Sequence, residues 1–128
     1  MRLTGCPWVQ LIQPMQIIQT KLADAQILTL SGRLDAGTAP ELEQRCARLI
    51  EGKTRKLILN VGTLDYLNSA GLRVMLVTGK ALKRQNGKLV LVAIAGPVRD
   101  TVELAGFEKI FPLCTTVNEA AEVADTLP

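Results

Sequence analysis

Histidine is absent from this chain, which removes imidazole acid/base catalysis and the commonest metal ligand. Aromatic residues are scarce. Trp8, Tyr66, Phe107 and Phe111 offer too little for a platform that stacks nucleic-acid bases. Cys6, Cys46 and Cys114 are odd in number and far apart, with no Cys-x-x-Cys pair, so neither a disulfide framework nor a zinc site is indicated. The longest apolar run, Leu89 to Ala95, is far too short to cross a bilayer, and the N-terminus has no basic flank, long apolar core and small-residue cleavage site. Neither Gly-x-Gly-x-x-Gly nor Gly-x-x-x-x-Gly-Lys-Ser/Thr occurs, which leaves dinucleotide and P-loop chemistry without support. These absences point to a cytoplasmic protein with no membrane insertion, no cofactor and no metal.

What is present suits one domain. The 128 residues are 48% apolar, enough for a single good core and too few for two. The net charge of +3 is mild and the basic residues are interleaved with acidic ones, so direct nucleic-acid binding is unmotivated.

Residues 1–14, with Gly5, Pro7 and Pro14, read as an irregular lead-in with a short strand near Val9 to Ile12. Residues 15–126 form the domain. Gln16 to Lys21 and Gln26 to Ser31 are β-favouring runs around a turn at Leu22-Ala23-Asp24-Ala25, and Gly32-Arg33-Leu34-Asp35 reads as a loop. A helix capped by Thr38 follows, with Ala39, Leu42, Cys46, Leu49 and Ile50 on one face and Gly52 at its end. Leu57 to Val61 and Leu89 to Ala95 have the unbroken apolar character of interior strands. Between them, Ser69 to Asn86 is a long helical pattern closed by Gly87. A short helix from Val98 to Ala105, a short strand within Phe107 to Pro112 and a terminal helix from Val117 to Ala124, opened by Thr116 or Asn118, complete the order. Asp24, Asp65 and Asp100 read as turn or cap residues. Such alternation predicts an α/β fold: a mixed, mainly parallel sheet of four to five strands with about four helices.

The most informative segment is Leu67-Asn68-Ser69-Ala70-Gly71-Leu72, which sets a hydroxyl at a helix start. Free N–H groups and the positive end of the helix dipole there stabilise an anion, so a phosphate on Ser69 would be tolerated, with Gly71 keeping the first turn open. A plain N-cap role for Ser69 or Asn68 fits the same spacing. At 100° per residue, Gly71, Met75, Gly79, Leu82 and Asn86 fall on the side expected to face the sheet. Ala70, Arg73, Val77, Lys80 and Arg84 fall opposite, a basic stripe continuous with Ser69 that could dock an acidic partner or simply be solvated. Strand, Ser, helix also has the outline of a hydrolase nucleophile elbow, a weaker reading on two counts: the first Gly is missing and no His can act as base.

On Gly32-Arg33-Leu34-Asp35, Thr38-Ala39, Leu57 to Val61, Leu67 to Leu72, Gly106-Phe107 and Thr116 to Ala120, the chain resembles the STAS domain family, in particular its anti-sigma factor antagonists. The resemblance implies a phosphoprotein of a transcription-regulating signal pathway and not an enzyme. Unphosphorylated, it would bind an anti-sigma factor that is also a serine kinase and so release the sigma factor. Phosphorylation at Ser69 would inactivate it, and a PP2C-type phosphatase would reset it. Asp35 would be the acidic loop residue near Ser69, with Asn68, Ala70 and Gly71 forming the rest of the phosphosite neighbourhood. Arg73, Val77, Lys80 and Arg84 are the candidate partner-binding residues. Asn68 stands where the family usually has Asp, which removes a negative charge beside the hydroxyl. The alternative within the family is a STAS subunit that binds the ATPase of a lipid-transporting ABC complex, with Ser69 as a contact.

Overall fold

The computed structural model describes residues 15–93 and 97–126. The lead-in, its expected strand and the Gly96 turn lie outside the described residues. Among the described residues, five strands form one sheet in the order β1-β2-β3-β4-β5. β1 (Gln16–Leu22) and β2 (Ala25–Leu34) make an antiparallel hairpin, paired from Gln16↔Ser31 to Leu22↔Ala25. Ala23 takes a φ of 56° in the turn, a conformation glycine adopts at lower cost, which is why no strong turn signal marks the sequence. β3 (Lys56–Leu67), β4 (Lys88–Val92) and β5 (Leu113–Cys114) are added in parallel to β2.

The connections are α1 (Ala39–Glu51), α2 (Ser69–Arg84) and α3 (Pro97–Leu104), and α4 (Val117–Thr126) closes the chain. Side-chain alternation along the strands divides the core in two. Leu28, Leu30, Leu57, Leu59, Leu89 and Leu91 face α1, α2, α3 and the two Phe rings. Ile27, Ile58, Val90 and Val92 face Ala120 and Ala124 of α4. Each fully buried Leu or Met, such as Leu42 on α1 or Met75 on α2, contributes about 1.5–3 kcal/mol relative to exposure. At the hairpin end, Lys56 bridges Asp24 of the turn and Asp125 of α4. Its ammonium pKa is raised, chiefly by the bond to Asp125 and then by that to Asp24.

Gly32-Arg33-Leu34, expected as loop, is strand, and the strand expected to end at Val61 runs on to Leu67. The two extensions pair with each other, Arg33↔Tyr66 and Leu34↔Leu67. Between Thr29↔Asn60 and Arg33↔Tyr66, β3 takes two more residues than β2. These bulges break strict alternation, so Leu64 and Leu67 are both buried on the α1/α2 face. Asn60 accepts from the Gly62 N–H at 3.2 Å and the Thr63 hydroxyl donates to the Leu30 carbonyl, so local polar groups support the irregular stretch. Asp65 lies in this strand and not in a turn.

The strand expected within Phe107 to Pro112 is a 3-10 turn at Phe107–Lys109, and pairing begins only at Leu113. The Phe111 N–H bonds back to the Phe107 carbonyl at 2.7 Å, which folds the segment so that both rings are buried edge to face. α2 stops at Arg84, two residues before the expected end: Asn86 is left-handed (φ 62°) and exposed instead of sheet-facing. The Gly87 N–H reaches the Leu82 carbonyl at 2.7 Å and the Asn86 N–H that of Lys83 at 3.1 Å, a Schellman ending. Thr116, not Asn118, opens α4, its hydroxyl accepting from the Glu119 N–H at 3.1 Å.

Candidate functional site

Parallel strands deliver their chain ends to one edge of the sheet, where crevices form between successive loops. β2 and β3 end together at Leu34 and Leu67, so the loop entering α1 and the first turn of α2 are neighbours. The Asn68 N–H ties them, donating to the Leu34 carbonyl at 3.3 Å.

Asn68 is the cap of α2. Its backbone is extended and its Oδ1 accepts from the Ala70 N–H at 3.0 Å. Ser69 is the first helical residue and exposed, so its hydroxyl is not the cap and is open to solvent. The Ser69 and Gly71 amides have no partner among the described residues. With the helix dipole they give the terminus its affinity for negative charge.

Gly71 does not serve to open this turn. It is buried, and a Cβ there would lie 2.6 Å from both Leu34 Cγ and Leu67 Cδ1. Its role is to let α2 sit directly on the ends of β2 and β3.

Asp35 is turned into its own loop. Its Oδ1 accepts from the Gly37 N–H at 3.0 Å and the Thr38 N–H at 3.2 Å, and its backbone carbonyl accepts from the Ala39 N–H at 2.8 Å. Thr38 holds the cap position before Ala39, as expected, but its side chain makes no capping bond, and Asp35 orders the turn that leads into α1. The Thr38 hydroxyl instead accepts from the Asp35 N–H at 3.0 Å and donates to the Arg33 carbonyl at 2.7 Å. Arg33 stacks over Tyr66 at 4.1 Å and lies 3.7 Å from Asp35 Oδ2.

Ser69, Ala70 and Arg73 line a shallow cleft of about 250 Å³ with Ala36, Pro40 and Glu43 from the α1 side. Asp35 and Gly71 are not among its lining residues. From Arg73 the outer face of α2 continues through Val77, Lys80 and Arg84, all exposed, Val77 to 50%.

The sequence profile of the STAS domain matches residues 16–120. Over 112 residues the chain is 35% identical to BtrV of Bordetella bronchiseptica, provisionally designated an anti-sigma factor antagonist, covering 88% of this chain and 97% of that protein. The chain belongs to the STAS domain family. It is also 29% identical over 94 residues to the anti-sigma-B factor antagonist of Staphylococcus aureus, with 73% of this chain and 83% of that protein aligned. The crystal structure of an anti-sigma factor antagonist from Mycobacterium paratuberculosis superposes with a TM-score of 0.80 at 25% identity, over 87% of this chain and 94% of that one.

In this STAS domain the cleft brings Ser69, Ala70 and Arg73, all singled out in the sequence, together with Ala36, Pro40 and Glu43, which were not. A signal for the last two existed. With Ala39, Leu42 and Cys46 turned inward, Pro40 and Glu43 lie three apart on one flank of α1. No helix among the described residues is long and apolar enough to cross a membrane.

Proposed function

We propose that this STAS domain is an anti-sigma factor antagonist: a binding switch, not an enzyme, that engages an anti-sigma factor/serine kinase when unphosphorylated and is inactivated by phosphorylation at Ser69. The observation that carries the reading is that the exposed Ser69 hydroxyl shares a cleft with Arg73, the head of the basic stripe. Ser69 and Arg73 are also four residues apart on α2, so their side chains are neighbours on its surface. A phosphate adds about two negative charges and three acceptor oxygens. On Ser69 it would pair with Arg73 and meet the Glu43 carboxylate across the cleft. It would thereby cancel the leading positive charge of the surface that Arg73, Val77, Lys80 and Arg84 offer to an acidic partner. Dephosphorylation by a PP2C-type phosphatase would restore it.

The names of the relatives support this role over that of a subunit gripping a transporter ATPase. The decisive experiment is to isolate the tagged protein from its own cells and read both the copurifying proteins and the phosphate on Ser69 by mass spectrometry. The switch requires a serine kinase of the histidine-kinase-like ATPase type in the complex, phosphate on Ser69, loss of phosphate in Ser69→Ala, and at least tenfold weaker kinase binding by the phosphorylated form. Full phosphorylation of Ser69→Ala by that kinase, or recovery of a transporter ATPase with unmodified Ser69, would refute it.

A further inference from the structure

The described part of the molecule has a second, larger concavity on the α2 side of the sheet, a groove of about 720 Å³ between the later turns of α2 and the Phe107–Pro112 segment. It begins beyond the Ser69 cleft and shares no lining residue with it. Its walls combine two chemistries. Leu76, Ile110 and Pro112 supply apolar surface, Ile110 being 56% exposed, over a floor formed by Phe111. Gly79 shapes that floor, since a Cβ there would fall 2.2 Å from the Phe111 ring. Lys80, Lys83 and Lys109 rim the groove, and Lys88 joins the lining at the start of β4. Among the described residues, none that lines it is acidic. None of these lysines has an ion-pair partner among the described residues.

The backbone argues against a small phosphate or nucleotide as occupant. Anion cradles are built from free N–H groups, and here those groups are occupied. The Gly87 N–H is bonded to the Leu82 carbonyl at 2.7 Å and the Lys88 N–H to the Arg55 carbonyl at 2.6 Å. The Lys109 N–H goes to the Gly106 carbonyl at 3.1 Å, those of Ile110 and Phe111 go to the Phe107 carbonyl at 2.9 and 2.7 Å, and Pro112 has none. Side-chain ammonium groups set around apolar walls remain. That combination matches a segment carrying carboxylates beside apolar side chains, the helix-in-groove mode of peptide recognition. A second copy of this chain fits poorly: its acidic α4 turns Ala120 and Ala124 onto its own sheet.

We propose that this groove seats an acidic amphipathic helical segment of a partner protein, with apolar side chains against Leu76, Ile110 and Pro112 and carboxylates on Lys80, Lys83 and Lys109. The segment adds a contact that does not depend on the phosphate state of Ser69. Only Lys80 belongs to both the groove and the outer stripe, so variants at Lys83, Lys109 and Ile110 test the groove separately from the switch. All three are exposed, so their replacement is expected to leave the fold intact.

The test is titration of the 15N-labelled full chain, monitored by amide chemical shifts, with three probes. One is a designed helical peptide bearing leucines at i, i+3, i+4 and i+7 among glutamates. The second is a polyglutamate of equal charge, and the third is inorganic pyrophosphate. The proposal requires that the amphipathic peptide shift Leu76, Lys83, Lys109 and Ile110, with affinity falling as salt rises. It also requires at least tenfold weaker binding for both Ile110→Ser and the Lys83→Glu/Lys109→Glu double variant, while Arg73→Glu leaves it unchanged. Equal binding of polyglutamate, pyrophosphate binding in the groove at comparable affinity, shifts confined to other surfaces, or a doubling of mass without peptide that perturbs the same residues would each overturn it.

Discussion

Gly71 and Leu34 are packed so closely that a Cβ on the glycine would stand 2.6 Å from Leu34 Cγ, a separation that real side chains do not tolerate. The helix that presents Ser69 is thus seated on the strand end through a missing side chain. In an open helix interior, Gly→Ala would stabilise by about 1 kcal/mol. Here the added methyl must displace Leu34 and Leu67 from a filled core, a strain of about 1–3 kcal/mol. Gly71→Ala is therefore expected to lower stability by about 1 kcal/mol in urea unfolding. An unchanged or raised midpoint would mean that the two leucines yield freely.

Asn68 supplies the cap that orients the same turn. Removing its side-chain oxygen in Asn68→Ala orphans the Ala70 N–H and is expected to cost about 1 kcal/mol. Asn68→Asp keeps an acceptor and adds a charge favoured by the helix dipole, so its stability should match or exceed the native value by a few tenths of a kcal/mol. The same carboxylate would oppose a phosphate on Ser69. Urea midpoints for the two variants, with kinase-catalysed phosphate incorporation into Asn68→Asp compared with the native chain, separate the capping role from the electrostatic one.

The sequence exposed most of this architecture because its signals were local. Apolar runs marked β3 and β4, a 3.6-residue period marked α2, and the stripe from Arg73 to Arg84 followed from that period. What stayed hidden depends on pairing between distant segments. Gly32 to Leu34 reads as loop until the bulged end of β3 lies alongside it. Phe107 and Phe111 read as strand until their rings meet. The Ser69 side of the cleft was legible because one helix carries it. The Glu43 side was not, since it depends on how α1 lies against α2.

Asp35 carries both a charge and a shape, and the two can be separated. Its Oδ1 holds the Gly37 and Thr38 amides, which an Asn side chain can also do through its own oxygen. Asp35→Asn should therefore remain within about 0.5 kcal/mol of native stability, whereas Asp35→Ala leaves the Gly37 amide without its acceptor and the Thr38 amide with the backbone carbonyl of residue 35 alone, at 3.2 Å, and loses about 1 kcal/mol. If partner binding follows stability, weak in Ala and native in Asn, then Asp35 acts by shaping the loop beside Ser69. Binding lost in Asn at native stability would instead assign its charge to the partner contact.

Cys46 makes alkaline stability a reading of the α1/α2 packing. Burial pushes its thiol up to about 11 from an ordinary value of 9.0, partly offset by a hydrogen bond with Thr78 of α2. Between those values the folded chain keeps a proton that the unfolded chain releases. The stability tied to the neutral thiol is therefore whole below pH 9 and lost as pH rises toward 11. At 1.36 kcal/mol per pKa unit, the loss is on the order of 2 kcal/mol. Lys56, with a raised pKa, also loses its ion pairs at high pH, and the Cys114 thiol is raised, chiefly by burial. Both remain in Cys46→Ala, so the difference between the two proteins isolates Cys46. The variant should be less stable at pH 8, where it has lost the packed sulfur, yet flatter from pH 9 to 11, and its urea midpoint should converge on that of the native chain. Parallel curves across that range would mean that the thiol is reached by water and that α1 does not seal against α2 at this position.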